Sequence, residues 1–395
     1  MKADGKETAP GVLLTLGRLP KALELARAFH GMGCRVVIAE PFRWHLARPS
    51  RAVSACYRVT APNSDPTAYL SELLEIIERE NIRYVMPVSE EALHVAGLKP
   101  RLPDAVTLLC PDFAVLAELH DKLQFARYCQ QRGLSVPETH PENSDAGRAL
   151  ADAGDYVAKP AHSCSGIGVE LCLNGHRHAP GAAGMLVQRY VSGDHLSSLS
   201  LLHEGRCLAS VVYRGTVFAG TVAICFERVD NATAVQAWLE RFCDHSDYSG
   251  FIAFDFVVDR AGIAWALECN PRVTSGVHFF NPVELARALL QPQRNPVVGF
   301  KPQRRMQWAY STLTEAYAAL LRPAEARRRF RQLFSARDVV WSPRDPLPFL
   351  LMTPMSWEIL WPAMTSSLTL GEATQRDIAW LSGEGEGVSA AARDT

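Results

Sequence analysis

Over the first hundred residues, short apolar runs alternate with stretches of helical period, the pattern of an open sheet built from βαβ units. Val12–Leu16 predicts a strand, Lys21–His30 a helix closed by Gly31, and Cys34–Ala39 a second strand. Asp65-Pro66 reads as a helix cap followed by a first-turn proline; Leu70, Leu73, Leu74 and Ile77 then fall on one face before a strand at Ile82–Met86, and Val106–Cys110 completes the sheet. The first strand-to-helix turn, Leu16-Gly17-Arg18-Leu19-Pro20, lacks the Gly-x-Gly-x-x-Gly that lets a backbone approach a pyrophosphate, which disfavours an NAD-dependent dehydrogenase. From Asp112 the period turns helical as far as Arg132, broken near His120-Asp121 and closed by Gly133 with Pro137 beyond.

Between Asp155 and Asp259 the pattern is mostly that of strands, at Tyr156–Lys159, Met185–Val191, Leu196–His203 and Cys207–Arg214, an α+β region after the α/β start. Beyond Pro302, Arg322, Arg327, Arg328, Arg329 and Arg331 crowd a helical stretch. Leu347–Met364 is apolar, but Pro348, Pro354, Pro362 and Glu358 argue against a transmembrane helix, and the tail from Gly383 predicts disorder. The expected organisation is a βαβ domain over residues 1–112, a second domain over 113–300, and a C-terminal extension over 301–395. Within the second domain, a lid lobe is expected near 125–190 and a metal-bearing lobe near 191–300.

A period-2 segment carries the clearest chemistry. Gly250-Phe-Ile-Ala-Phe-Asp255-Phe-Val-Val-Asp259, a turn at Arg260-Ala261-Gly262, and Ile263-Ala-Trp-Ala-Leu-Glu268-Cys-Asn270-Pro271-Arg272 predict a hairpin. Alternation puts Ile252, Phe254, Phe256 and Val258 on a core face, with Ile263, Trp265 and Leu267 expected beside them. The opposite face is then expected to hold Ala253, Asp255, Ala264, Ala266, Glu268, Asn270 and Arg272. An isolated Asp and Glu would simply face solvent. Here the ordered Glu-x-Asn-x-Arg string among small residues places acidic oxygens opposite one another, where they need a cation, a shared proton or a basic neighbour. Mg²⁺ meets that need with carboxylates, an amide oxygen, waters and nucleotide oxygens, leaving Arg272 to hold a phosphate or carboxylate.

Upstream, Tyr156-Val-Ala-Lys159-Pro-Ala-His-Ser163-Cys164-Ser165-Gly166-Ile-Gly168 sets a lysine at a strand end before a loop of small residues. Such a loop can cradle phosphate on backbone N–H groups while the lysine supplies charge. Taken alone it is equally a Ser/Gly hairpin loop. Lys122, after Asp121, reads either as a nucleotide contact or as an exposed helix-start lysine. The 395 residues, with Lys+Arg 41 against Asp+Glu 42, suit two or three ordinary soluble domains and argue against a nucleic-acid binder. The ten cysteines show no Cys-x-x-Cys pair, so no zinc site or disulfide framework is expected, and with no secretory signal the protein reads as cytoplasmic.

Glu268-Cys269-Asn270-Pro271-Arg272 resembles the Glu-x-Asn-Pro-Arg signature of ATP-grasp enzymes, in particular those related to carbamoyl-phosphate synthase. The strand-loop around Lys159, the His120-Asp121-Lys122 element and the segment Gln188-Arg189-Tyr190-Val191 with Asp194 and His195 resemble that family's lid loop, Asn-Asp-Lys element and adenine clamp, in the family's order over residues 10–300. The resemblance implies an ATP-grasp fold with an N-terminal pre-ATP-grasp βαβ domain. ATP would be bound by Lys122, Lys159, Ser163, Ser165, Gly166, Gln188, Arg189, Tyr190, Val191, Asp194 and His195, and Mg²⁺, or alternatively Mn²⁺, by Asp255, Glu268 and Asn270. Arg189 and His195 stand where the family usually has acids, and Asp194 is the candidate ribose acid. Arg272, Arg214 and Arg228 are the expected cations for the transferred phosphate; Ser275, Gly276 and His278 are the expected substrate contacts. The implied reaction is phosphorylation of a small carboxylate and coupling to an amine. Alternatives are phosphorylation of bicarbonate or carbamate, and a catalytically silent nucleotide-binding regulator. A homodimer is left open, as is a carrier-protein or membrane-surface contact through the C-terminal region.

Overall fold

In the computed structural model, described here for residues 9–162, 168–179, 184–219, 222–312, 334–365 and 370–380, the opening βαβ pattern becomes a parallel sheet. Its strands are β1 (Gly11–Leu14), β2 (Arg35–Glu40), β3 (Ala55–Arg58), β4 (Ile82–Met86) and β5 (Thr107–Leu108), in the order β3-β2-β1-β4-β5. Helices α1 (Pro20–Gly31), α2 (Pro66–Arg79) and α3 (Ala92–Ala96) connect them. Pro20 opens α1 and Pro66 opens α2, where Asp65 accepts a hydrogen bond from the Ala68 N–H. Strand β3 has no apolar run to announce it, and β5 pairs over two residues only, well inside the expected Val106–Cys110. Leu13, Val37, Tyr69, Leu70, Leu73, Ile77 and Val85 form the core between sheet and α2; Leu74 stands at its margin.

His94 on α3 is buried, and burial pulls its imidazole down to about 4, so it stays neutral in the fold. The unfolded chain takes up a proton from about pH 6.5 downward, so stability should fall as pH drops from there to about 4, by roughly 3 kcal/mol at the end of the window. Urea midpoints of the wild type and His94→Leu, measured at pH 7.5, 6 and 5, should converge toward a smaller pH slope in the variant; equal slopes would remove His94 as the cause.

A second unit begins with α4 (Phe113–His120) and α5 (Lys122–Gln131). Asp121 is the residue between them, extended at φ −69°, ψ 117°, and its carboxylate caps α5 at the N–H groups of Leu123 and Gln124. A small antiparallel sheet follows: β6 (Thr139–Pro141), β7 (Tyr156–Pro160), β8 (Glu170–Cys172) and β9 (Met185–Arg189), in the order β6-β9-β7-β8, with α6 (Asp145–Ala153) against it. The large sheet holds β10 (Asp194–His203), β11 (Arg206–Ala219), β12 (Val222–Arg228), β13 (Gly250–Val258), β14 (Ala264–Asn270), β15 (Arg305–Gln307) and β16 (Arg337–Asp338). Its order is β14-β13-β10-β11-β12-β15-β16. On one face α7 (Thr233–Asp244) lays Trp238 edge-on against Phe254 and Phe256, at centroid distances of 4.9 and 5.1 Å, while Phe125 of α5 stacks on Phe254 at 5.9 Å. Aromatic burial of this kind fixes which face of β13 is core and frees the other for chemistry.

The β13–β14 register corrects the expected faces. Asp255 pairs with Glu268 but Phe256 pairs with Ala266, so Leu267 is an extra residue in β14. Ala264 and Ala266 therefore join Phe254 and Phe256 in the core, whereas Trp265 lies on the other side and Ile263 is exposed. Beyond the bulge the parity changes: Cys269 goes to the core, and Glu268 and Asn270 share the face of Asp255.

The compact units also interleave where sequence suggested three consecutive blocks. Helix α8 (Pro282–Leu290), expected within the metal-bearing lobe, packs on α1 and belongs to the first unit, as do residues 340–365 and 370–378. Residues 300–312 and 334–339 extend the second unit, supplying β15 and β16. The proline-broken apolar stretch folds as three short helices, α9 (Leu347–Leu350), α10 (Met352–Met355) and α11 (Trp357–Thr365), followed by α12 (Leu370–Gln375). No helix among the described residues is long and apolar enough to cross a membrane. The arginine-rich stretch at 322–331 and the tail from Gly383 lie outside the described residues.

Candidate active site

Asp255 and Glu268 face each other across β13 and β14, with Asn270 opposite Ala253 on the same face. Ser197, the neighbour of Asp255 on β10, donates its hydroxyl to Asp255 Oδ1 at 2.5 Å. Asn270 Nδ2 donates to Asp255 Oδ2 at 3.2 Å, and Arg272 donates to Asn270 Oδ1 at 2.9 Å. Two lysines from other elements close the group. Lys122, at the first turn of α5, brings Nζ to 3.7 Å from Glu268 Oε2. Lys159, at the end of β7, donates to Gln188 Oε1 at 2.9 Å and to the carbonyl of Leu267 at 3.0 Å. The bulge thus turns a β14 carbonyl toward the lysine. Gln188 in turn donates from Nε2 to Thr139 Oγ1 at 2.9 Å, so the small sheet holds Lys159 through two strands.

Both lysine side chains are buried, each only 4% exposed, which would be costly without the facing acids. Burial drives the Lys159 ammonium down to about 8, with Glu268 opposing and Lys122 adding to the fall. Burial, and then the neighbouring Glu268, push Asp255 up to about 7. For Glu268 burial also pushes upward, but Lys122, Lys159, a hydrogen bond with Asp255 and then Arg272 together outweigh it and hold the carboxyl below its usual value. Two acids with one charge between them mark the place where a cation can substitute for the proton. The donors are all oxygens, two carboxylates and an amide, which suits a hard divalent ion such as Mg²⁺ rather than a soft one.

The other expected residues separate. Arg214 lies one residue from Tyr213, so its side chain leaves the opposite face of β11, where it pairs with Glu227 at 3.2 Å. Arg228 shares the Asp255 face, but Asp230 at 2.7 Å, the Lys301 carbonyl and the ring of Phe300 at 4.5 Å engage its guanidinium. Neither arginine reaches the carboxylates. Gly276 lies against the sheet, where an added Cβ would come to 2.7 Å of Leu199 Cβ, and buried His278 stacks on Phe226 at 6.2 Å and 11°. Both pack against neighbouring side chains, and Ser275 is half-buried beside them. Arg189 is exposed with its guanidinium 5.0 Å over the Trp265 ring, Tyr190 and Val191 are half-buried, and Asp194 and His195 are exposed at the start of β10. Register puts His195 on the Asp255 face and Asp194 on the opposite one. Ser163, Ser165 and Gly166 lie outside the described residues.

Sequence reasoning passed over three residues at the site. Ser197 has a parity signal, being the residue that register sets beside Asp255. Thr139 has none. Tyr213 donates or accepts a hydrogen bond with Thr274 Oγ1 at 3.1 Å, and burial, then Asp255, push its phenol up to about 12.

The sequence pattern of the ATP-grasp domain family matches residues 119–276, the stretch that carries Lys122, Lys159, Gln188, Ser197, Asp255, Glu268, Asn270 and Arg272. The chain carries an ATP-grasp domain. Solved structures agree in fold. The biotin carboxylase–β,γ-ATP complex of Campylobacter jejuni is 14% identical, with a TM-score of 0.59 over 75% of this chain and 74% of that one. The L-amino acid ligase of Bacillus licheniformis is 14% identical, with a TM-score of 0.56 over 74% and 75%. The biotin carboxylase domain of Hydrogenobacter thermophilus 2-oxoglutarate carboxylase, in complex with MgADP, ADP and bicarbonate, is 13% identical, with a TM-score of 0.57 over 72% and 70%. Curated proteins give no sequence match.

Elsewhere in the ATP-grasp domain, Glu170, Cys172 and His176 bring an oxygen, a sulfur and a nitrogen within 4.8 Å of one another on and beyond β8. The two oxygens of Glu170 are taken by His176 at 2.6 Å and His178 at 2.5 Å, so the group is satisfied by its own hydrogen bonds.

Proposed function

We propose that this protein is an ATP- and Mg²⁺-dependent ligase that phosphorylates a small carboxylate and couples the acyl phosphate to an amine. The observation that carries this reading is the Asp255–Glu268 pair enclosed by Lys122, Lys159 and Arg272. In ATP-dependent carboxylate activation, a carboxylate oxygen attacks the γ-phosphorus, the bond to the ADP oxygen breaks, and the amine later attacks the acyl carbon as inorganic phosphate leaves. Negative charge gathers on phosphoryl oxygens throughout, so positioned cations do most of the work. Bound by Asp255, Glu268 and Asn270, Mg²⁺ would supply charge neutralisation at the phosphates. Lys159, fixed by Gln188 and the Leu267 carbonyl, and Lys122, fixed by Glu268, are set to meet phosphate oxygens without reorganising. Arg272 is the cation nearest the metal ligands and suits the transferred phosphoryl group or the acid that receives it. The backbone of Gln188–Val191 is the proposed adenine clamp.

An amino acid or related small acid is the first substrate class, in line with the fold likeness to an L-amino acid ligase. Phosphorylation of bicarbonate or carbamate is the second reading, favoured by the Asn270-Pro271-Arg272 string and by the likeness to a carboxylase domain with bicarbonate. ADP release should be measured with ATP and Mg²⁺ across amino acids, simple carboxylates and bicarbonate, each with and without an amine. ADP production with one acid–amine pair, abolished by EDTA and restored by Mg²⁺, is the expected outcome. Release with bicarbonate alone would select the second reading. ATP binding without turnover on any acid would count against both and favour a nucleotide-binding regulator.

A further inference from the structure

The first unit carries a surface that the proposed chemistry does not use. From Pro346 to Gly371 the sequence holds a single charged residue, Glu358. The stretch breaks at Leu351 and Ser356, and the helices between the breaks are too short to bury both sides. Helix α11 turns Ile359 inward and points Trp357, Trp361 and Met364 outward at i, i+4 and i+7, with exposures of 48%, 54% and 73%. Around α9, Leu347, Leu350 and Leu351 repeat the device at i, i+3 and i+4, Leu350 being 65% exposed. Trp357 and Trp361 lie 5.7 Å apart, and exposed Trp341 packs edge-on against Phe349 of α9 at 5.3 Å. Large apolar side chains repeated at helical spacing on an outer face mark an interaction surface; scattered ones would not.

Four exposed arginines lie around these helices. Glu358, the charge within the stretch, accepts a hydrogen bond from the Trp44 N–H at 2.7 Å. Trp44 is itself exposed, with the guanidinium groups of Arg43 and Arg48 at 5.4 and 5.5 Å from its ring. On the α9 side, Arg51 donates to the carbonyl of Arg344 at 2.9 Å. Arg43, Arg48, Arg51 and Arg344 are all exposed, whereas Asp345 beside them is buried and bonded to Arg27, Ser50 and the Arg51 N–H. Tryptophan, leucine and methionine fringed by arginine is the composition of a face that rests in the headgroup layer. A second copy of the chain would bring arginine fringe against arginine fringe, which disfavours self-pairing. Anionic headgroups complement the fringe, and the apolar stripes match the acyl boundary beneath them.

We infer that the α9–α11 face, with Arg43, Arg48, Arg51 and Arg344, docks on an anionic lipid bilayer, so that the enzyme lies on a membrane without crossing it. The full-length protein should float with vesicles of phosphatidylcholine and phosphatidylglycerol, and at least about tenfold less with phosphatidylcholine alone. The triple variant Trp357→Ser/Trp361→Ser/Met364→Ser should lower partitioning at least about tenfold, and Arg43→Glu/Arg48→Glu should do likewise while abolishing the lipid preference. All five positions are exposed, so unchanged circular dichroism and melting temperature should show that both variants fold. Three outcomes overturn the proposal: no flotation of the wild type with anionic vesicles, flotation unaffected by the triple variant, or no flotation together with a dimer that the triple variant converts to monomer. The last would assign the face to a second copy of the chain.

Discussion

Glu268→Gln should lower ADP release by at least about a hundredfold while the protein remains folded. Glutamine keeps the shape and one oxygen but removes the charge that faces Lys122 and Lys159 and, in the proposed site, binds Mg²⁺. The electrostatics indicate that folding will tolerate this. Glu268 and Asp255 face each other across β13 and β14, and Glu268 is what raises Asp255 beyond the effect of burial. With residue 268 neutral, Asp255 ionises more readily and takes over part of the compensation of the two lysines. The expected signature is therefore a split one: turnover and Mg²⁺-dependent ATP affinity fall steeply, metal-free ATP binding through Lys122 and Lys159 persists, and the melting temperature moves little. Isothermal titration with ATP in EDTA and in Mg²⁺, beside an ADP-release assay, reads all parts. Equal loss of both binding modes would mean that Glu268 acts by holding the lysines, and the metal assignment would fall.

The hairpin was legible because both constraints on it are local. Period-2 alternation from Ile252 to Val258 and the turn at Gly262, where φ is +78°, fix two strands and their pairing. The acids follow from the strands. Leu267 was not legible, since a bulge adds one residue without altering the composition around it, and Ala264 and Ala266 are small enough to suit either face. Parity also explains the arginines. Arg214 and Tyr213 differ by one position, and only the neighbouring strand says which of them looks toward Asp255. The depth of Lys122 could not be read from its sequence neighbours, because Asp121 caps α5 equally well whether the next side chain is exposed or buried; what buries it is the opposing β14. The interleaving of the units has the same origin, since α8 packs on α1, more than 250 residues away in the chain.

Arg18→Ala should destabilise the first unit by about 3–5 kcal/mol, the cost of leaving a buried charge uncompensated. The β1–α1 turn, unsuited to a dinucleotide, has a structural task. Gly17 and Arg18 donate their backbone N–H groups to Glu40 Oε2 at 2.8 and 3.0 Å, an approach in which a Cβ on residue 17 would meet His45 Nδ1 at 2.3 Å. The Arg18 guanidinium is fully buried, and each of its nitrogens is bonded. Nε donates to Glu40 Oε1 at 2.9 Å, one terminal nitrogen to the Thr374 carbonyl and Asp377 Oδ1, and the other to Glu40 Oε1 and Asp377 Oδ2. Phe42 covers it at 3.5 Å. Burial pushes Glu40 upward, yet Arg18, then His45 and the Gly17 N–H, hold it below the usual carboxylate range. One side chain therefore ties the first turn of the chain to α12 and the residues just after it, within a single unit. Lysine cannot replace it, because a point ammonium offers three donors where a planar fork meets acceptors on two sides. Arg18→Lys should thus lose most of what Arg18→Ala loses, and Arg18→Met/Glu40→Gln should recover part of it by removing the orphaned acid as well. Urea denaturation of the three variants at pH 7.5 gives the ordering; a double variant no more stable than Arg18→Ala would show that the loss comes from the Thr374 and Asp377 contacts instead of the buried Glu40 charge.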